Sequence, residues 1–178
     1  MTDDRAQPRR WEFTETSLLA APREAVWARV TTMDGVNAEL APLARMTHPP
    51  GMDRLTADAV PLGRRAFRSW ILLFGVLPVE YDDLTLVRID AGRGFREESP
   101  MLTQRLWIHQ RTLEDVAGGC RLTDQLTFEP RLAWLGGLQL HVFRFFFRHR
   151  HRRLRHQFGS PVARASGPLL QSGGPSCS

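Results

Sequence analysis

The chain contains no lysine: all 24 of its basic residues are arginine. That absence excludes a lysine Schiff base and any other reaction that begins at a lysine amine. Against 19 acidic residues the arginines leave a net charge of +5. A GC-rich coding sequence favours arginine codons and explains the bias without a phosphate-binding role, so composition alone points to no nucleic acid.

Cysteine is nearly as scarce. Cys120 and Cys177 stand far apart, which fits neither a disulfide framework nor a metal site, since a metal needs clustered ligands at short spacing. No metal is expected, and a reducing, cytoplasmic setting is the simplest reading. Long apolar runs are missing too. The longest, WILLFGVLPV from Trp70 to Val79, is about half of a bilayer crossing and contains Gly75 and Pro78. The opening MTDDRAQPRR carries acids and no following apolar stretch, which is not the pattern of a secretory signal. Neither a Ser-His-Asp set nor a Walker loop appears, and no cofactor is expected.

What is present reads as one folded domain: 178 residues, 42% hydrophobic and 24% charged. The body is expected over 10–158. Residues 159–178, rich in Gly, Ser and Pro, are expected to form a flexible tail, and residues 1 to about 8 a loose end.

Trp11, Phe13 and Leu19 fall on one parity and Glu12, Thr14 and Thr16 on the other, the period of a half-buried strand. A helix is then expected from Pro22 to a stop at Gly35, with Ala25, Val26, Val30 and Met33 as its apolar stripe. A second short helix is expected over 36–43. From Arg64 the pattern is β, with strands over 64–74, 79–89 and 95–99 separated by turns at 75–78 and 90–94. Trp11, Trp27 and Trp70 read as core or wall.

The clearest hairpin joins 101–115 to 120–130 around VAGG at 116–119. Setting Asp115 opposite Cys120 fixes a register in which Leu113 faces Leu122, Arg111 faces Asp124, His109 faces Leu126 and Trp107 faces Phe128. That face is apolar apart from His109, Arg111 and Asp124. Buried charges need partners, water or a ligand, so it is not the lining of a dry core.

The segment FRFFFRHRHRRLRHQF (143–158) belongs to a proline-free stretch from Trp134 to Phe158 that should form one long helix ending at Gly159. At about 100° per residue, Leu140, Phe143, Phe146, Phe147, Leu154 and Phe158 share an arc, with Arg144, Arg148, Arg152, Arg155 and His156 opposite. Phe145 is left among the charges, and Arg150 falls inside the greasy arc with His151 at its edge. The apolar arc needs a partner, and the sheet is the obvious one. Basic residues in the last turns also suit the negative end of the helix dipole. No nucleic-acid partner is expected. Contact of the arginine face with an anionic membrane is the alternative partner reading.

Strand, two short helices, an antiparallel meander and a long final helix resemble the helix-grip fold of the SRPBCC superfamily, which includes START-like lipid-transfer domains, the birch pollen allergen and polyketide cyclases. The stretches GVNAELAP (35–42), PLGRRAFRSWILLFGVLPVEYDDL (61–84), LWIHQR (106–111), GGCRLTDQLTFEPR (118–131) and RHRRLRHQF (150–158) are similar to an uncharacterised bacterial branch of it. The resemblance implies an α+β fold in which a curved antiparallel sheet of about seven strands wraps a long C-terminal helix around a cavity. It also implies that the cavity holds a hydrophobic ligand. With an apolar cavity, sparse polar anchors and no recognisable catalytic set, a carrier or sensor of a lipid, fatty acid or polyketide-like molecule is expected, as a monomer or homodimer. A polyketide cyclase, aromatase or dehydratase using the same cavity is the enzymatic alternative.

Candidate ligand-binding residues are Trp107, His109, Arg111, Asp124, Leu126, Phe128, Phe143, Phe147 and Arg150. His109, Arg111 and Asp124 would be the catalytic set of an enzyme. For Arg150 the competing roles are a ligand contact and an ion pair with Asp124 or an inner-face glutamate. Arg111 and Asp124 read as a cross-strand pair. Glu97 and Glu98 face opposite ways and cannot pair with each other. Asn37 and Glu39 are expected to cap the second helix or to line a cavity mouth.

Overall fold

The computed structural model describes residues 9–161. The expected loose N-terminus and nearly all of the expected C-terminal tail lie outside the described residues.

The elements in order are β1 (Trp11–Leu19), α1 (Arg23–Val30), α2 (Met33–Leu40), β2 (Ala44–Met46), β3 (Phe67–Leu73), β4 (Leu77–Leu84), β5 (Leu86–Asp90), β6 (Gly94–Ser99), β7 (Gln104–Val116), β8 (Gly119–Pro130), a 3-10 turn at Ala133–Leu135 and α3 (Gly136–Phe158). The described strands number eight. They form a five-stranded sheet ordered β1-β8-β7-β6-β5 and a three-stranded sheet ordered β2-β3-β4, antiparallel throughout.

The expected single strand over 79–89 is two strands. Thr85 breaks it: its Oγ1 donates to the Asp83 carbonyl at 2.9 Å, and its N–H donates to Ser99 Oγ at 3.1 Å. Local side-chain bonds of this kind draw backbone groups away from a ladder. The two sheets stay joined at this corner through the Asp82–Met101 bridge and Asp83 N–H to the Pro100 carbonyl, 3.1 Å.

The helices after β1 also differ in their boundaries. The first stops at Val30, and Thr32 caps the second by accepting the Gly35 N–H at 3.0 Å. Gly35 is therefore inside α2, where a Cβ would strike the Arg29 carbonyl. Met33 moves from the expected stripe of α1 to the first turn of α2, where it is still buried.

In the β7–β8 hairpin every expected cross-strand pair is present, from Trp107–Phe128 to Asp115–Cys120. β1 adds to the far edge of β8, placing Phe13 opposite Leu126 and Ser17 opposite Leu122. α3 lies across the inner face. Phe143 meets Phe128 and Trp107 edge-on at centroid distances of 4.9 and 5.0 Å, and Phe147 meets Phe13 at 5.7 Å and the His109 ring at 5.3 Å. Edge-to-face pairs of this type add about 0.5–1.5 kcal/mol each beyond burial. Gly136 lets the start of α3 approach Trp11, because any Cβ there would meet the indole. Trp70, expected in core or wall, is on the outer face, 42% exposed and edge-on to Tyr81.

Candidate functional site

α2, α3 and the inner faces of both sheets enclose a cavity of about 350 Å³, within the usual range for small-molecule sites. Most of its wall is apolar: Val36 and Leu40 from α2, Ile71 and Leu84 from β3 and β4, Trp107 from β7, and Phe143 and Phe147 from α3 all contribute. Val79, Leu138 and Val142 both line it and are solvent-exposed, which places the mouth between the β3–β4 hairpin and the first half of α3.

One part of the wall is polar. Arg111, fully buried at mid-β7, is held between two carboxylates. Asp124 accepts from its Nε and Nη2, both at 2.7 Å, and Glu39 of α2 accepts from Nη1 and Nη2, both at 3.0 Å. Arg150 of α3 reaches the same Glu39, with Nε at 2.9 Å and Nη2 at 2.8 Å from Oε2. Asp124 is also bonded to His109 Nε2 at 2.9 Å and to His151 Nε2 at 3.1 Å. His151 Nδ1 bonds Ser17 Oγ at 2.8 Å, and that hydroxyl accepts from Arg155 at 2.6 Å. One connected network thus ties β1, α2, β7, β8 and α3 together.

The electrostatics follow from this geometry. Burial works against the charged form of Asp124, but Arg111 and His109 outweigh it and hold the carboxyl well below the usual range. Burial likewise opposes ionised Glu39, which Arg111 and Arg150 nonetheless pull down. For Arg111, burial is overcome by Asp124 and Glu39, which hold it still more firmly protonated. His109 sits between Asp124 and Glu97, whose Oε2 is 3.6 Å from Nδ1, and the two carboxylates raise it despite burial.

Beyond His109 the network ends in a second acidic pair. Glu97 of β6 accepts from Ser99 Oγ at 2.8 Å and lies in hydrogen-bonding reach of Asp82 on β4. Burial opposes ionised Glu97, but His109, Ser99 and Asp82 lower it. Burial and the adjacent Glu97 charge push Asp82 well above the carboxylate range. Of the two carboxyls, Asp82 is thus the one that holds a proton to higher pH. Glu80, also in the wall, accepts from the N–H groups of Tyr81 and Thr103 and from the Thr103 hydroxyl.

Of the candidate residues, Trp107, His109, Arg111, Phe143, Phe147 and Arg150 line the cavity. Asp124, Leu126 and Phe128 stand behind that wall, all but fully buried. Arg150 pairs with Glu39, not with Asp124 or a glutamate of the sheet. Glu39 does not cap α2 but bridges two arginines, and Asn37 binds the Met46 backbone, accepting its N–H at 2.7 Å and donating to its carbonyl at 3.0 Å. The sequence reading missed Asp82, although its parity on β4 with Glu80 and Leu84 would have placed it inward. Among the described residues, no cluster of side chains has the makings of a metal site. On the outer side of α3, Arg148 pairs with Glu15 at 3.8 Å and Arg153 donates to the Ala38 carbonyl at 3.2 Å, while Phe145 is exposed. No described helix is long and apolar enough to cross a membrane.

A curved antiparallel sheet gripping a long C-terminal helix over an apolar cavity is the helix-grip architecture of the SRPBCC superfamily. The chain belongs to the DUF8410 family, a domain of unknown function, whose model matches residues 17–158. No curated protein matches the sequence. Among solved structures it is similar to protein CV1439 from Chromobacterium violaceum, with a TM-score of 0.64 at 14% identity over 83% of this chain and 97% of the other. It is also similar to Ara h 8.0201, with a TM-score of 0.59 at 12% identity over 84% and 98%. A START superfamily protein from Mycobacterium smegmatis gives a TM-score of 0.58 at 10% identity over 84% and 96%. At these identities the likeness is one of fold.

Proposed function

We propose that the protein binds a hydrophobic small molecule in its internal cavity and acts as a carrier or sensor. The observation that carries this reading is the cavity itself: about 350 Å³, walled mainly by apolar side chains, with the polar groups gathered on one side. An apolar enclosure with few, fixed polar groups favours a largely hydrocarbon ligand held in one orientation. Titration with the neutral solvatochromic dye Nile red tests it. A blue-shifted emission saturating at one dye per chain is expected; an unshifted spectrum overturns the reading.

A second reading is favoured by one feature, the chain of titratable groups Asp82, Glu97, His109 and Asp124, of which all but Asp124 line the cavity. Such a chain can move protons, as a cyclase or dehydratase acting on a polyketide-like substrate requires. Arg111 and Asp124 are committed to each other, so Asp82 and His109 would carry that chemistry. Cyclisation of a poly-β-ketone thioester by the native chain, and not by Asp82→Leu, would support it; unchanged substrate would remove it. Peripheral contact with anionic lipid is the weaker proposal, because Arg148, Arg153 and Arg155 already engage groups of the protein.

A further inference from the structure

Arg150 stands on α3 in the wall of the cavity, and its guanidinium is half engaged. Nε and Nη2 both lie against one oxygen of Glu39, Oε2, at 2.9 and 2.8 Å. Nη1 has no hydrogen-bond partner among the described residues, and it is not one of their sealed-in polar atoms, so a molecule the size of water reaches it. The side chain keeps 10% of its surface, where Arg111 keeps none. Its head lies beside Phe147, with Cζ 4.9 Å from the ring centroid, and Phe147 and Arg111 are themselves cavity wall. The open edge, Nη1 with the outer N–H of Nη2, therefore belongs to the cavity side.

Charge narrows the ligand further. Arg111 has both oxygens of Asp124 as well as Glu39. Among the described residues Arg150 has its share of Glu39 alone, through an oxygen that also accepts from Arg111 Nη2 at 3.0 Å. One carboxylate thus serves two guanidinium groups, and Arg150 is the less compensated of them. The acidic groups elsewhere in the wall have donors of their own: Glu80 has the N–H groups of Tyr81 and Thr103, and Glu97 has Ser99 and His109. Two adjacent N–H groups on a guanidinium match the two oxygens of a carboxylate, and charge-assisted bonds of this kind are the strong ones. A neutral carbonyl or hydroxyl brings no charge to that edge.

Building on the cavity-binding reading, we propose that Arg150 is the anchor of the cavity and that its ligand is an amphiphilic carboxylic acid. The carboxylate accepts from Nη1 and Nη2, and the hydrocarbon body lies against the apolar wall.

The test is displacement of Nile red at neutral pH by decanoate, methyl decanoate and decan-1-ol. Each is measured on the full native chain and on Arg150→Gln and Arg150→Met, in both of which Glu39 keeps Arg111. Decanoate should bind the native chain about ten-fold or more tighter than the ester, which keeps the carbonyl and loses the charge. Arg150→Gln still offers an N–H to Glu39 but no charge to a ligand, so the preference should vanish while ester and alcohol affinities stay within about two-fold. Arg150→Met should behave alike. Equal affinity of the native chain for acid and ester, or a preference for the acid that survives both substitutions, overturns the anchor and leaves the cavity reading intact. A parallel loss of all three probes in a variant with a native circular dichroism spectrum also overturns it, since that marks an arginine with a structural role alone. The acid-against-ester comparison on the native chain supports or refutes the anchor even if neither variant folds. Absence of dye uptake by the native chain overturns both readings.

Discussion

Asp124 faces Arg111 directly across the β7–β8 ladder and takes the guanidinium edge with both carboxylate oxygens, each at 2.7 Å. Both side chains are fully buried. Neither presents a free end to a ligand, and the pair acts as the keel on which Glu39, His109, Arg150 and His151 are set. A buried ion pair of this kind adds little net stability compared with apolar packing, but losing one partner strands the other's charge.

Removing Asp124 should therefore be among the most damaging single changes. Asp124→Ala leaves Arg111 with only Glu39, and His109 and His151 without their shared acceptor. The expected loss is about 3–5 kcal/mol in unfolding free energy, measured by urea titration. A loss below about 1 kcal/mol would show that the network is not cooperative.

The pH dependence can be worked out from the directions of shift. Asp124, Glu39 and Glu97 are lowered in the folded state, so their stabilisation is present above the ordinary carboxylate range and lost as pH falls through their native values. His109 is raised, so its contribution is complete below about 6.5 and lost as pH rises through its native value. Asp82 is raised as well. Its contribution is complete below about 3.8, and between there and its native value the unfolded chain gives up a proton that the fold retains, at up to about 1.4 kcal/mol per pH unit. Asp82→Asn has no such proton, so its stability relative to the native chain should improve from pH 4.5 to pH 7.5. A constant difference in urea unfolding across that range would contradict the assignment of the proton to Asp82.

Filling the cavity should separate binding from folding. Val36 lines it from α2, and Val36→Trp adds a large ring with room ahead of it. Nile red uptake is expected to fall at least ten-fold while the circular dichroism spectrum is kept. Arg152→Ala, on the exposed outer side of α3, should leave uptake unchanged. Equal effects of the two changes would place the dye somewhere other than the cavity.

Ser17 couples β1 to α3 through two hydrogen bonds, one with His151 and one from Arg155. Ser17→Ala leaves the buried His151 Nδ1 without its partner, which should cost about 1–3 kcal/mol in thermal or urea unfolding. Restoration of the loss by threonine would separate the lost hydroxyl from a packing defect.

Much of the frame was readable without coordinates. The β7–β8 register followed from a single choice, Asp115 opposite Cys120, because side chains alternate with a strict period of two and a tight turn leaves few alternatives. The burial of Arg150 on α3 followed from helical periodicity. Its partner did not, since Glu39 precedes it by 111 residues and lies on a helix whose start is set by Thr32. The Asp82–Glu97 pair was out of reach for a related reason. Alternation through 79–89 gives no sign that Thr85 divides the strand between two sheets, and it is that corner which brings β4 against β6. Trp70 was misplaced because its parity says only that it shares a face with Arg68, not which face turns inward.

The cavity's occupant is the central claim, and native mass spectrometry of the full chain, followed by solvent extraction, addresses it most directly. The account predicts a discrete added mass that is lost on denaturation, released as a largely apolar compound, and absent from Val36→Trp. The same adduct on the native chain and on Val36→Trp, or a bare chain that also fails to take up Nile red, would contradict it.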